Sequence, residues 1–202
     1  MSSNNNILVV IAVVVLVFAL GNLFITINKA GKLTGYATDI GTANLSIASA
    51  ASINFIVDNI NWGAGQVNEI PTSATINSEG TVTDGNWTAV SQGLTLQNDG
   101  NTNVALTLTT SNVASAFIGG TSPSYKLKVS NSEANSCEFP LNSTNLGTYT
   151  EANGTAQPTC RRFDKTDVSD LLEIDVEIVV PEDADSGAKS STITATGIVF
   201  TP

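Results

Sequence analysis

The stretch "ILVVIAVVVLVFALGNLFITI" runs from Ile7 to Ile27, 21 residues without a charge. How it is covered decides what the rest of the chain is for. At ~1.5 Å rise per residue it makes a helix about 31 Å long, close to the ~30 Å hydrocarbon core of a bilayer. Three fates fit such a segment: a removable export signal, a membrane anchor, or the packed core of an assembly. An export signal has a shorter apolar region of about 7 to 15 residues behind a basic start. Here "MSSNNN" precedes the run, with no Lys or Arg. A cut near "FALGN" would split the apolar run and leave "NLFITI" behind. The run is apolar on every side, so it must be covered all round, by lipid or by other helices. Ile7, Val10, Val14, Phe18, Gly21 and Ile25 are the residues expected to carry helix–helix assembly. Ala12, Ala19 and Gly21 are small enough to let backbones approach.

The remainder is a different kind of chain. Eighteen Asp and Glu all follow Lys32, against six Lys and Arg in the same span, which gives that span 6 − 18 = −12. Such a field repels phosphate backbones, so no nucleic-acid partner is expected. Ser, Thr and Asn number 66 of 202 residues. Thr and Val suit a pleated surface better than a helix. The organisation expected is a polar N-terminus at 1–6, a hydrophobic helix at 7–28, a Gly/Lys neck at 29–42 with Gly31 and Gly35 as its hinge, and a β domain at 43–202. The positive-inside tendency of Lys29 and Lys32 would hold that domain in the cytoplasm. The cysteines, sequons and acidic surface argue the other way, and a large domain responds weakly to two lysines. The β domain is therefore expected outside the cell, with the helix in the membrane before assembly.

Within 43–202 the hydrophobic period is two. Leu45, Ile47, Ala51, Ile53, Phe55 and Val57 share one face and predict one long or bent strand. "LTLQN" and "VALTLTT" flank "DGNTN" and predict a hairpin, with Leu94 and Leu96 facing Val104, Leu106 and Leu108. "YKLKVS" sets Tyr125, Leu127 and Val129 against Lys126 and Lys128. "LEIDVEIVVP" points Leu172, Ile174, Val176, Ile178 and Val180 inward and Glu173, Asp175 and Glu177 outward. "SSTITATGIVF" closes the chain with Ile193, Ala195, Gly197 and Val199 on one face. Weaker strands are expected near 74–76 and 87–90. Seven to nine such strands predict a mainly β fold: an N-terminal hydrophobic α-helix followed by an immunoglobulin-like two-sheet β-sandwich.

Cys137 and Cys160 bound a polar segment that reads as a surface loop at 137–160, stapled at its base by a disulfide. Such a bridge belongs to an oxidising compartment. Asn44, Asn86, Asn142 and Asn153 begin N-x-[ST] sequons and are glycosylation candidates. The chain has no histidine, which removes Ser-His-Asp and Cys-His catalysis and most zinc sites. No Walker loop or G-x-G-x-x-G occurs, and no catalytic activity is expected. Asp164, Asp167 and Asp170, or Glu182, Asp183 and Asp185, offer oxygen ligands of the kind Ca²⁺ takes. Asp99, Asn101 and Asn103 resemble the start of a calcium loop, with Val104 where its glycine belongs and Thr110 where its glutamate belongs. Ordinary polar turns are the competing reading for all three, and no other cofactor is expected. Trp62 and Trp87 are either sugar-stacking platforms or packing over a sandwich edge.

In this order of parts, and in the joint "LFITINKAGKLTGYATDIGTANLSI", the chain resembles archaeal pilins and archaellins. The resemblance implies a filament whose core is a bundle of the N-terminal helices, with the β domains outside. The partner would then be the chain itself, as a homopolymer, with glycans as a further class of ligand for its outer surface. The chain departs from that family where a prepilin leader carries a basic and a small residue before the apolar run: "SSNNN" stands there. The other reading is a single-pass surface protein whose sandwich binds carbohydrate or a partner protein.

Overall fold

A computed structural model of the chain describes residues 3–30, 42, 44–140 and 146–201. Gly31, Gly35 and Asn142 lie outside the described residues. The chain divides into two compact units, Met1–Ser46 and Ile47–Pro202. In the first, one helix, α1, spans Ser3–Ala30. Leu, Val, Ile, Ala and Phe fill it, without proline, and it continues past Gly21 because a single glycine costs a helix only about 1 kcal/mol.

The second unit is mainly β. In chain order its described elements are β1 (Asn54–Val57), β2 (Ser73–Asn77), β3 (Val82–Thr83), β4 (Leu94–Gln97), β5 (Val104–Thr110), the single-turn α2 (Ala114–Phe117), β6 (Ser124–Asn131), β7 (Cys137–Pro140), β8 (Thr150–Glu151), β9 (Gln157–Phe163), β10 (Leu171–Pro181) and β11 (Ile193–Val199). They form two antiparallel sheets. One holds seven strands, in the order β1-β4-β10-β2-β3 with β6 on the other edge of β10 and β8 beyond it. The other holds four, in the order β11-β5-β9-β7. This is the anticipated helix followed by a two-sheet sandwich. The strands exceed the expected number because β3 and β8 are two-residue pairings too short to leave a periodic signal.

β10 organises the larger sheet. Leu171–Ile174 pair with β4 and Glu177–Pro181 with β2 on one edge, while Leu172–Val179 pair with β6 on the other. Its alternate residues Leu172, Ile174, Val176 and Ile178 are buried, as their period predicts. They meet Leu94, Leu96, Tyr125, Leu127 and Val129 of their own sheet and Val104, Leu106, Leu108 and Phe163 of the other in one core. At ~25 cal/mol per Å², each such side chain contributes about 2 kcal/mol on leaving water.

Four expectations need correction. The long strand from Leu45 is not formed: pairing is confined to Asn54–Val57, and Leu45 and Ile47 are 87% and 77% exposed. The chain there is held by a side chain instead. Asn101 Nδ2 donates to the Ala48 carbonyl (2.9 Å), its Oδ1 accepts from Ala50 N–H (2.7 Å), and its own N–H donates to the Ala50 carbonyl (3.1 Å). Gly100 is required beside this clasp, since a Cβ there would lie 2.6 Å from the Ala50 carbonyl oxygen.

The "DGNTN" segment is not a hairpin. β4 and β5 belong to different sheets, so residues 98–103 cross between them. Asn98 makes the crossing: it is 1% exposed, and its amide nitrogen reaches the carbonyls of Thr102, Phe163 and Asp164 at 3.0–3.1 Å. A tight hairpin would leave those buried carbonyls without donors. Leu94 and Leu96 do face Val104, Leu106 and Leu108, across the sandwich.

The Cys-bounded segment is not a plain surface loop. Its ends are β7 and β9, which pair with each other, and its middle supplies β8 to the opposite sheet. Cys137 and Cys160 form the expected disulfide, with Cα atoms 5.7 Å apart. Finally, residues 87–90 are not a strand. Trp87 instead lays its ring against Gly65 and Gly85, where a Cβ would come within 2.5 and 2.7 Å of it. Trp62 and Trp87 are both half-buried against the core, which supports packing over stacking platforms.

Replacing Cys137 and Cys160 by serine should lower unfolding free energy by about 3 kcal/mol, from the entropy returned to the unfolded chain. The urea midpoint followed by Trp62 and Trp87 fluorescence in detergent micelles checks this; a midpoint unmoved by the double change would contradict it.

Candidate functional site

The chemical feature that sets this chain apart is the surface of α1. Ile7–Thr26 is long and apolar enough to cross a membrane, and none of it is buried within the chain. The expected assembly residues Ile7, Val10, Val14, Phe18 and Ile25 are 48–70% exposed, and Gly21 has open space where a Cβ would stand. Side chains on the other faces, such as Leu16, Val17 and Leu20, are equally exposed. The helix therefore has no preferred seam.

Its two polar side chains from Ile7 to Thr26 are differently placed. Thr26 Oγ1 donates to the Asn22 carbonyl (2.8 Å), so its hydroxyl is satisfied inside the helix. Asn22 is the remaining amide in the apolar stretch. An amide in hydrocarbon gains from a partner on another helix, by about 1 kcal/mol. The sequence reading passed over Asn22; its signal was a lone amide beside Gly21.

The sandwich holds the remaining candidates. Asn44, Asn86 and Asn153 are exposed. Asn86 Oδ1 accepts from Gln66 N–H (2.7 Å). Asn153 Oδ1 accepts from the Thr155 N–H (3.0 Å) and hydroxyl (2.7 Å) of its own sequon. Among the described residues, no three His, Cys, Asp or Glu side chains gather as a metal site. Three of the acidic groups read as calcium candidates are engaged separately. Asp164 caps Thr166 N–H (2.8 Å), Asp170 accepts from Gln97 (3.1 Å), and Asp183 accepts from the Thr121 N–H and hydroxyl (2.8 and 2.7 Å). Those Thr121 bonds, the backbone one foremost, hold the Asp183 carboxyl below the usual range. Burial pushes Asp164 up, but the hydrogen bonds from Thr166 and Lys165 outweigh it and its pKa is lowered. Asn101 and Asn103 bind backbone groups at Ala48, Ala50 and Lys165.

A polar network lies on the outer face of the larger sheet. Lys128 of β6 stands opposite Asp175 of β10 in the strand register. Its ammonium pairs with Asp175 at 3.1 Å and with Glu79. Asp175, expected to point into solvent, is 3% exposed, because the turn after β2 closes over it: Ser78 Oγ donates to its carboxylate (2.7 Å). Tyr149 donates to Glu79 (2.8 Å) and sits with its ring centroid 5.1 Å from the ammonium. The Lys128 and Tyr149 hydrogen bonds hold Glu79 below the ordinary carboxylate range. Burial pushes Lys128 down, but its bonds to Glu79 and Asp175 prevail and its pKa is raised. Burial first, and then the bond to Glu79, raises Tyr149 well above the phenolic range. The lowered Glu79 and raised Lys128 values both favour their ion pair.

No protein-family model, curated protein or solved structure matches this chain.

Lys128→Met should cost about 3 kcal/mol or more, because it strands the buried Asp175 charge. Glu79→Gln, on the exposed side of the network, should cost less than about 1 kcal/mol. Urea midpoints of the two variants check the contrast. The raised Lys128 pKa adds stability that is complete below the unfolded value of about 10.4 and lost as pH rises through the folded value. The depressed Glu79 pKa adds stability present above about 4.3 and lost as pH falls through its folded value. The alkaline loss should shrink in Lys128→Met and the acid loss in Glu79→Gln.

Proposed function

We propose that the chain is a non-catalytic structural subunit of an extracellular surface filament, assembled by packing of α1. One observation carries this reading: the surface of Ile7–Thr26 is apolar on every face and uncovered within its own chain. A helix of that kind repeated along an axis buries its whole circumference without lipid. Burying it takes no seam, which agrees with its uniform exposure. Ala12, Ala19 and Gly21 permit close approach, and Asn22 supplies a cross-helix hydrogen bond. The acidic Thr- and Asn-rich sandwich suits the outer, solvated layer. Its disulfide suits an oxidising exterior, and Asn44, Asn86 and Asn153 are exposed sequons there. In this reading the partner is the chain itself, the membrane holds α1 before assembly, and glycans are candidate ligands of the outer layer.

The length of the helix favours a second reading, a single-pass anchor carrying an adhesive sandwich. Twenty residues span about 30 Å.

Shearing cells that express the chain separates the two. The filament reading expects fibres that sediment without detergent and a mature N-terminus that retains Ile7–Thr26. The anchor reading expects a detergent-dependent monomer. Val14→Asp, which places a charge at about 2.5 kcal/mol or more in an apolar surround, should abolish fibres while leaving the disulfide and sandwich intact. Fibres of normal yield from Val14→Asp would sink the proposal.

A further inference from the structure

β11 is the outer strand of the four-stranded sheet, and it lacks the devices that blunt such edges. Ser190–Pro202 contains no charge, and β11 has neither proline nor bulge. The other edges differ: β1 is short and shifts register between Phe55 and Val57, and β7 ends in Pro140. The parity of its pairing shows what β11 presents. Ser111 N–H donates to the Thr192 carbonyl and Phe200 N–H to the Asn103 carbonyl, with an unbroken register between them. Thr194, Thr196 and Ile198 therefore bond to β5, and the N–H and C=O groups of Ile193, Ala195, Gly197 and Val199 point away from the sheet.

We infer that this edge is a pairing surface for β11 of a second copy of the chain, related by a two-fold axis at Thr196. That register is self-complementary. Ile193 meets Val199 and Ala195 meets Gly197 as hydrogen-bonded pairs, which use every outward backbone group in about eight hydrogen bonds. On the outer face Thr196 meets Thr196, and Thr194 meets Ile198, which is 65% exposed. Threonine pairs and apolar contacts are favourable cross-strand neighbours. A register moved by one residue would match inward-bonded residues to outward ones and lose the pairs. The acidic charge of each sandwich opposes the contact and is screened within about 8 Å at physiological salt, so pairing strengthens with ionic strength.

The consequence rests on the filament reading above. Pairing through β11 between subunits on the surfaces of two filaments bundles those filaments side by side.

Two measurements on the full chain test this. Both native cysteines are bonded to each other, so Thr196→Cys carries the one free thiol. Opposed Cα atoms at a non-hydrogen-bonded position lie about 4.5 Å apart, within disulfide reach. Oxidised in detergent micelles, Thr196→Cys should give roughly tenfold more covalent dimer than Ser186→Cys, an exposed control, through the raised local concentration of the two thiols. On fibres, Thr196→Lys and Thr196→Glu should each abolish lateral association, and their mixture should restore it. Dimer no greater than the control, or bundles of either charged variant equal to wild type, overturns the pairing even where fibres form. Dimer above the control from a chain that forms no fibres upholds the pairing and removes the filament reading instead.

Discussion

β10 is the member on which the sandwich depends. Eleven consecutive residues from Leu171 to Pro181 are hydrogen-bonded to β4 and β2 along one edge and to β6 along the other. Their period of two sends Leu172, Ile174, Val176 and Ile178 into the core while the alternate residues face outward. A slip of one residue would reverse that assignment for every side chain on the strand. The cross-strand pairs Lys128–Asp175 and Lys126–Glu177 hold the same register from the outer face. Apolar burial and charge pairing thus specify one alignment, and locally consistent choices of this kind make one packing unique.

Around that member, polar side chains do work that strands would otherwise do. Asn98 carries the chain from one sheet to the other by donating to three carbonyls that face each other at the turn. Asn101 holds residues 48–50 by imitating the donor and acceptor of a neighbouring strand. Asn98 is neutral, so it enters a buried position without the desolvation penalty of a charge. A chain with 13% charged residues and abundant Asn and Thr has many such groups to deploy. Asp175 is an exception, as is the buried Asp170: the Asp175 charge is admitted because Lys128 and Ser78 meet both its oxygens.

The helix obeys a different logic. In the sandwich the inward apolar side chains of the long strands bury one another, whereas Ile7–Thr26 of α1 is exposed. The free energy that would fold a core is left on the surface, where it is available for association with lipid or with other helices. The sandwich edge at β11 is a second unfinished surface, this one of backbone groups. A chain with one uncovered apolar rod and one unblunted strand edge has its unmet valences directed outward.

The helix, the two-sheet class and the buried face of each long strand were legible from residues alone, because each rests on local periodicity: 3.6 in one case and two in the other. The disulfide was legible because its two cysteines had no other partner in the chain. The assignment of β4 and β5 to different sheets was not, since "DGNTN" has the same local chemistry whether it closes a hairpin or crosses a sandwich; only the carbonyls of Phe163 and Asp164, some 65 residues away, select the crossing. The strand expected from Leu45 failed for a related reason, as alternation reports what a segment could bury and not whether a sheet edge is there to receive it. The burial of Asp175 depended likewise on a turn 97 residues earlier. Local pattern determined which elements form and which faces are apolar; contacts distant in sequence decided which edges meet, because hydrogen-bond partners are chosen by proximity in space.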